Sequence, residues 1–319
     1  MGSEEIAKRF TDEPVYVAGV SQGSGYNLHA KQYLTTHEAT RAAAKACVRK
    51  LDFFCGHLGS KKELEFMQLT GLEGKNALVT GASRGIGKAI AGVLAKSGAQ
   101  VVCCAKNEEV LAQVCSEIKK DGGLAIPVKA DIAIASDRQR LMEQIIAKVK
   151  GIDILVNNAG IHINTPALEL EDPEFLRVMQ VNFLSMFSLA RDVAKQMITR
   201  GGGRIINMGS VSGQGGGSKQ VAYCASKAAI EAMTRSLAIE WAKYNINVNT
   251  VAPGIIRTDM SRPGWENEAY LAKVQSQIPA HRMGEPEDVA HLVAFLCSKE
   301  SRYLTGHIYY VDGGVMISR

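Results

Sequence analysis

From about residue 72 onward the sequence predicts a doubly wound, mostly parallel α/β sheet with helices on both faces, preceded by a short N-terminal extension. Two observations predict it. Short β-branched runs alternate strictly with longer helical stretches. Several of those runs, NALVT (76–80) and IDILVNN (152–158) among them, are almost continuously apolar, as parallel strands buried on both faces must be.

The strands are expected at 76–80, 99–104, 124–130, 152–158, 203–209, 246–252 and 307–312. Helices are expected between them at 86–97, 107–120, 136–149, 173–199, 222–243 and 286–297. The triple glycines at 201–203 and 215–217 read as loops. Residues 1–71 break the alternation. PVYVAGV (14–20) reads as one strand and TTHEATRAAAKACVRKL (35–51) as one helix, with Thr35 and Glu38 spaced as a capping box. One strand and one helix cannot bury a core. The extension must therefore pack on the 72–319 domain, pair with a partner chain or stay partly mobile.

Composition narrows the function. Of 319 residues, 46% are hydrophobic and 22% charged, which suits a globular domain. The net charge of +5 is spread along the chain, so no nucleic-acid patch is read. The seven cysteines (47, 55, 103, 104, 115, 224 and 297) form no CxxC pair and sit mostly in apolar surroundings. A reducing cytoplasm and small buried thiols are expected. No apolar run reaches the ~18 residues of a membrane span. The opening MGSEEIAKRF has early acids and no apolar h-region, and Ile6 breaks a myristoylation motif. The histidines form no HxxxH or HExxH set, so no metal is expected.

NALVTGASRGIGKAIAGVLAKSGAQVVCC (76–104) is a strand, a glycine turn, a helix and a second strand. Gly81, Gly85 and Gly87 let the backbone approach a pyrophosphate, and the helix start offers free N–H groups and a favourable dipole. Tyr223 and Lys227 are i and i+4, so they share one face of a helix. A free phenol titrates near ~10, too high for neutral acid–base work. An ammonium about 4 Å away, at an effective dielectric near 20, is worth roughly 4 kcal/mol, or about 3 pKa units. The phenol is therefore expected to be lowered toward neutrality by Lys227.

TGASRGIG (80–87), NNAG (157–160), Ser210, YCASK (223–227) and APG (252–254) together resemble a classical short-chain dehydrogenase/reductase, in order and spacing, over residues 72–319. The resemblance implies a Rossmann sheet and hydride exchange between a nicotinamide cofactor and a carbonyl or alcohol. It implies that Tyr223 is the acid/base and that Lys227 lowers its pKa and binds the nicotinamide ribose. Ser210 holds the substrate oxygen, and Asn182 supports a proton relay. The implied cofactor contacts are Gly81, Ser83, Arg84, Gly85, Ile86 and Gly87 in the loop, then Asp131 and Ile132 at the adenine. Asn158, Ala159 and Gly160, with Pro253, Gly254, Ile256 and Thr258, complete them, and Tyr223 and Lys227 touch the cofactor as well. Asp131 and Asn158 also admit a mainly structural reading.

Charge argues for the nucleotide type. Ala105 stands where NAD enzymes of the family carry an acid, Lys106 follows it, and Arg84 lies in the loop. A 2′-phosphate of about −1.5 to −2 charges is attracted by two bases and would be repelled by an acid, which points to NADP(H).

Residues 261–289 occupy the family's substrate-lid position, with Pro263 and Gly264 as hinge candidates. Trp265, Tyr270 and Leu271 either line an apolar pocket or pack helices. The lid resembles both 3-oxoacyl carrier-protein reductases and sugar-acid or polyol dehydrogenases such as gluconate 5-dehydrogenase. Residues 13–46 resemble a short thiolase-like fragment, which tilts the reading toward acyl thioesters. A small carbonyl or alcohol substrate follows, with no nucleic-acid or membrane partner. A homo-oligomer, tetrameric in the family, is expected through the helices 173–199 and 222–243 and through the C-terminal strand, which the ending YVDGGVMISR fits. A non-catalytic NADP(H)-binding regulator is the alternative of another class.

Overall fold

The structure, a computed structural model, describes residues 69–318. The expected strand at 14–20, the helix at 35–51 and the thiolase-like stretch lie outside the described residues. The chain divides into two units, Met1–Phe66 and Met67–Arg319, and the second carries everything that follows.

Seven parallel strands make one sheet in the order β3-β2-β1-β4-β5-β6-β7. They are β1 (Asn76–Thr80), β2 (Gln100–Ala105), β3 (Leu124–Lys129), β4 (Ile154–Asn157), β5 (Gly203–Met208), β6 (Ile246–Pro253) and β7 (Ile308–Val311). Leu78 of β1 registers with Val102 on one side and Leu155 on the other, so each inner strand is clamped by two apolar neighbours. The order reverses between β1 and β4. Such a switch point leaves a crevice at the carboxyl ends of the strands, and the segments at 81–87, 131–132, 158–160, 210 and 254–258 follow those ends.

Successive side chains feed two cores. Ala77 and Val79 face one layer, with Ile90 and Leu94 of α1 (Gly85–Lys96), Leu111 of α2 (Glu108–Lys120) and Val293 of the late helix Pro286–Cys297. Leu78 faces the other, with Leu141 and Ile145 of α3 (Ala135–Val149) and Leu189 and Ile230 of later helices. The strands are apolar on both faces because both faces are covered. The ends of α2 follow local rules. The Asn107 side chain caps it by accepting from the Val110 N–H at 3.1 Å, with Glu108 and Glu109 in the first turn and Lys119 and Lys120 in the last.

The single helix expected over 173–199 is interrupted. It divides into α4 (Asp172–Met179), a π-helical segment Gln180–Leu184 and α5 (Ser185–Thr199). The widened turn carries Asn182, fully buried. Such bulges aim a side chain inward at the expense of regular helix bonding. Helix α6 runs Val221–Trp241 and is tied to the sheet by a buried polar chain. Asn207 Nδ2 donates to Thr234 Oγ1 at 2.9 Å, which lies 2.8 Å from Thr250 Oγ1. The lid holds α7 (Arg262–Trp265) and α8 (Glu268–Gln277), and α9 (Pro286–Cys297) follows. Cys103, Cys104, Cys115 and Cys297 are buried free thiols and Cys224 is half-buried. Among the described residues no helix is long and apolar enough to cross a membrane.

Candidate active site

The β1–α1 turn is shaped for close backbone approach. Gly81 and Gly85 have φ of 65° and 52°, which side chains rarely adopt. A Cβ on Gly87 would collide with the Gly81 carbonyl and stand 2.5 Å from Asn158 Nδ2. Helix α1 has Arg84 as N-cap with no side-chain cap bond and no acid in its first turn. Its leading N–H groups are thus left for an anion such as a pyrophosphate. Ser83 and Ile86 are half-buried in this turn.

Asn158 joins the two central strands at the switch point: its Nδ2 donates to the Thr80 carbonyl at 2.9 Å and to the Gly81 carbonyl at 3.3 Å. The Thr80 hydroxyl accepts from the N–H groups of Asn158 and Ala159 at 3.0 and 3.1 Å. Past β3, Asp131 Oδ1 accepts from the Ala133 N–H at 3.0 Å, and Ile132 is buried beside it. The segment after β6 folds back over the glycine loop. A Cβ on Gly85 would meet Thr258 Cγ2 at 3.3 Å. Pro253 ends β6, Gly254 lies against Asp312, and Ile256 bridges to Gly284.

Two exposed cations lie in these turns, Lys106 just past β2 and Arg84 in the glycine turn. Lys106 Nζ lies 3.9 Å from Asp131 Oδ2, and Arg84 Nη1 lies 3.8 Å from Asp259 Oδ2. Ala105 closes β2 with no acid of its own.

The tyrosine, lysine, serine and asparagine converge on the facing wall. Ser210, just past β5, has extended backbone and accepts from the Ser212 N–H at 3.1 Å. Lys227 is buried and its Nζ donates to the Met208 carbonyl at 2.7 Å. Asn182 Oδ1 accepts from the Ile161 N–H at 2.8 Å, and its Nδ2 donates to the Ile161 carbonyl at 2.9 Å and to Ser226 Oγ at 3.1 Å. A Cβ on Gly160 would lie 3.3 Å from Asn182 Oδ1 and 3.9 Å from Lys227 Nζ. Gly160 thus lies close to both side chains, with little room for a Cβ beside Asn182.

One electrostatic expectation is corrected. Burial raises the Tyr223 phenol above its ordinary value, while the Ser210 hydroxyl beside it pulls the other way. The reason is geometric. Lys227 Nζ stands 5.6 Å from the phenol ring centroid and is turned to a backbone carbonyl, so desolvation of the phenolate outweighs it. The lysine itself is lowered by burial to about 8.

In the lid, Trp265 and Leu271 pack against a small core of Val274, Ile278, Met283 and Val315. The indole Nε1 donates to the Thr258 carbonyl at 3.2 Å. Trp265 thereby ties the lid to the cofactor-side strand end. Pro263, Gly264 and Tyr270 fall among the lid positions whose side-chain surroundings lie outside the described ones.

Sequence spacing passed over three neighbours. His162 packs edge-on to the Tyr223 ring with centroids 4.5 Å apart, and burial lowers its pKa. Ser226 links Asn182 to the Tyr223 carbonyl, its Oγ donating to that carbonyl at 2.7 Å. Glu231 is buried below Lys227. Only Ser226 and Glu231 carried a signal, as polar positions on the inward face of a helix.

Comparison with known proteins follows this geometry. A family model described as enoyl-(acyl carrier protein) reductase matches residues 81–316. A 3-oxoacyl-acyl-carrier-protein reductase of Vibrio cholerae is 41% identical over 245 residues, covering 76% of this chain and 98% of the relative. A 2-dehydro-3-deoxy-D-gluconate 5-dehydrogenase of Formosa agariphila is 36% identical over 252 residues, covering 78% of this chain and 96% of the relative. The crystal structure of a gluconate 5-dehydrogenase from Burkholderia cenocepacia in complex with NADP and tartrate superposes with a TM-score of 0.74 at 34% identity, covering 77% of this chain and 96% of that one.

Proposed function

The chain belongs to the short-chain dehydrogenase/reductase family of oxidoreductases, and from that premise we propose that it uses NADP(H) to reduce a 3-oxoacyl thioester to the 3-hydroxyacyl thioester. The observation that carries the reading is one wall holding Tyr223, Lys227, Ser210 and Asn182 opposite a glycine-rich, uncapped helix start. The bound nicotinamide supplies the hydride in reduction and accepts it in oxidation.

The chain's own residues do the rest. The loop Gly81, Ser83, Arg84, Gly85, Ile86 and Gly87 offers backbone N–H groups to the pyrophosphate. Arg84 and Lys106 pair with the 2′-phosphate. Asp131 and Ile132 face the adenine. Asn158, Ala159, Gly160, Pro253, Gly254, Ile256 and Thr258 hold the nicotinamide half. The Tyr223 hydroxyl gives its proton to the substrate oxygen, and the Ser210 hydroxyl donates a hydrogen bond to the same oxygen. The raised phenol of Tyr223 suits an acid that must stay protonated until the oxygen becomes basic. Lys227 binds the nicotinamide ribose and returns the proton, and Asn182 holds Ile161 so that the route from Lys227 to solvent stays formed.

A pH dependence follows. Lys227 of the free enzyme loses its ammonium as pH rises through about 8, whereas Tyr223, raised by burial, remains protonated there. The kcat/KM for reduction is expected to be level below that value and to fall above it. Lys227→Arg, charged to about 12 or beyond, is expected to move that limb upward. A limb unmoved by this change would detach Lys227 from turnover.

The reading is tested by following NADPH oxidation with an acetoacetyl thioester beside a keto-sugar acid. A preference for the thioester of more than about tenfold in kcat/KM, or about 1.4 kcal/mol, supports it. The opposite preference moves the chain to the second reading, a sugar-acid dehydrogenase, which the Formosa and Burkholderia relatives favour.

A further inference from the structure

We infer that Glu231 is a positioning residue for the reacting centre, clamping the turn that carries Ser210 onto helix α6. Glu231 lies one helical turn beyond Lys227 and two beyond Tyr223, with 1% of its surface exposed. Its Oε2 accepts from Gln214 Nε2 at 2.7 Å. Gln214 follows the short turn Val211–Gly213 that starts at Ser210.

The turn and the helix touch through Gly213. A Cβ there would stand 2.6 Å from Glu231 Oε1 and 3.2 Å from the Lys227 carbonyl. Glycine at 213 thus lets the Ser210 turn settle directly on the backbone of the lysine. The turn is closed from within by the Gly213 N–H, which donates to the Ser210 carbonyl at 2.9 Å. The chain of contacts Glu231–Gln214–Gly213–Ser210 therefore sets the height of the serine hydroxyl above the tyrosine.

The clamp is costly to the fold. Glu231 Oε1 is enclosed and has no hydrogen-bond partner among the described residues. A buried carboxylate without full pairing destabilises, and a packed apolar residue would not. Local rules are broken in this way chiefly where a site needs them broken. An apolar side chain at 231 would fill the space yet lose its grip on Gln214. The geometry demand is steep, because a misplacement of about 1 Å at a reacting centre costs on the order of 10²-fold in rate.

The inference rests on the reading of Ser210 as the hydrogen-bond donor to the substrate oxygen, and a double-mutant cycle separates the two. Gln214 is exposed, so Gln214→Ala opens no core cavity, and because it leaves the Glu231 carboxylate without its partner, the thermal midpoint is read beside kcat. Gln214→Ala and Glu231→Ala are each expected to lower kcat about tenfold, with NADPH binding unchanged. Glu231→Gln, which can still accept from Gln214, is expected to recover most of the rate that Glu231→Ala loses. In a Ser210→Ala background neither alanine change should lower kcat further. Losses that multiply in that background, or full activity in Gln214→Ala, overturn the positioning role while leaving the reading of Ser210 intact. Full activity in Ser210→Ala alone overturns both.

Discussion

Tyr223→Phe is expected to lower kcat by roughly 10²–10⁴-fold, the range that a positioned general acid contributes. NADPH is expected to bind as before, read by quenching of protein fluorescence. The change removes one oxygen and keeps the ring, so packing against His162 at 4.5 Å and beside the Lys227 ammonium at 5.6 Å persists. A loss of rate is therefore chemical rather than structural. The raised phenol pKa sharpens the point. A phenol whose pKa is raised holds its proton more tightly, so it stays protonated at rest and gives the proton up only as the substrate oxygen becomes strongly basic. Turnover unchanged in the phenylalanine variant would remove the acid/base role. A wild-type chain that binds NADPH yet turns over neither a thioester, a keto-sugar acid nor a small ketone would favour the non-catalytic regulator instead.

The double change Arg84→Ala with Lys106→Ala is expected to raise the KM for NADPH by roughly 10²-fold and to leave NADH unchanged. Both side chains are largely in solvent, 75% and 70% exposed, and their carboxylate neighbours stand at 3.8 and 3.9 Å. Screening therefore holds each contribution near the low end of the range between water and a protein surface, about 1–2 kcal/mol against a doubly charged phosphate. Two such contributions make about 2–4 kcal/mol, the origin of the hundredfold figure. The 2′-hydroxyl of NADH carries no charge, so it should not register the loss. The preference should also shrink with added salt, since the Debye length is about 8 Å at physiological ionic strength. Equal damage to both nucleotides would reassign the two cations to the pyrophosphate. No damage to either would leave the absent acid at Ala105 as the sole determinant.

Much of this was legible in residue order. Strand β1 was read at its observed bounds, and the remaining strands to within two residues, because a run apolar on both faces has few other homes. The glycine loop was legible because a chain that turns from strand to helix within four residues needs Gly81 and Gly85 at positive φ. Other features were not legible. The π turn at Gln180–Leu184 has no sequence signature in QVNFL, and it depends on Asn182 finding Ile161 and Ser226 across the fold. The lid was read as one segment of undecided packing, whereas Trp265 and Leu271 are committed to a small core with Val315 from the far end of the chain. Spacing placed Tyr223 and Lys227 on one face but could not say where the ammonium points.

Residue order alone established the layered sheet and the glycine loop, and it named the residues proposed for the reacting set and for the nucleotide's ribose. The sheet and the loop are settled by periodicity and by neighbours within one element, where distance along the chain stands for distance in space, whereas the site set rests on the resemblance that its motifs carry together. Tertiary structure decided the rest: that Lys227 answers to Met208 rather than to the phenol, that burial raises Tyr223 rather than lowering it, and that Glu231 holds the turn bearing Ser210. Those outcomes depend on desolvation and on contacts between groups 17 to 21 positions apart or more, which exist only once the layers have packed.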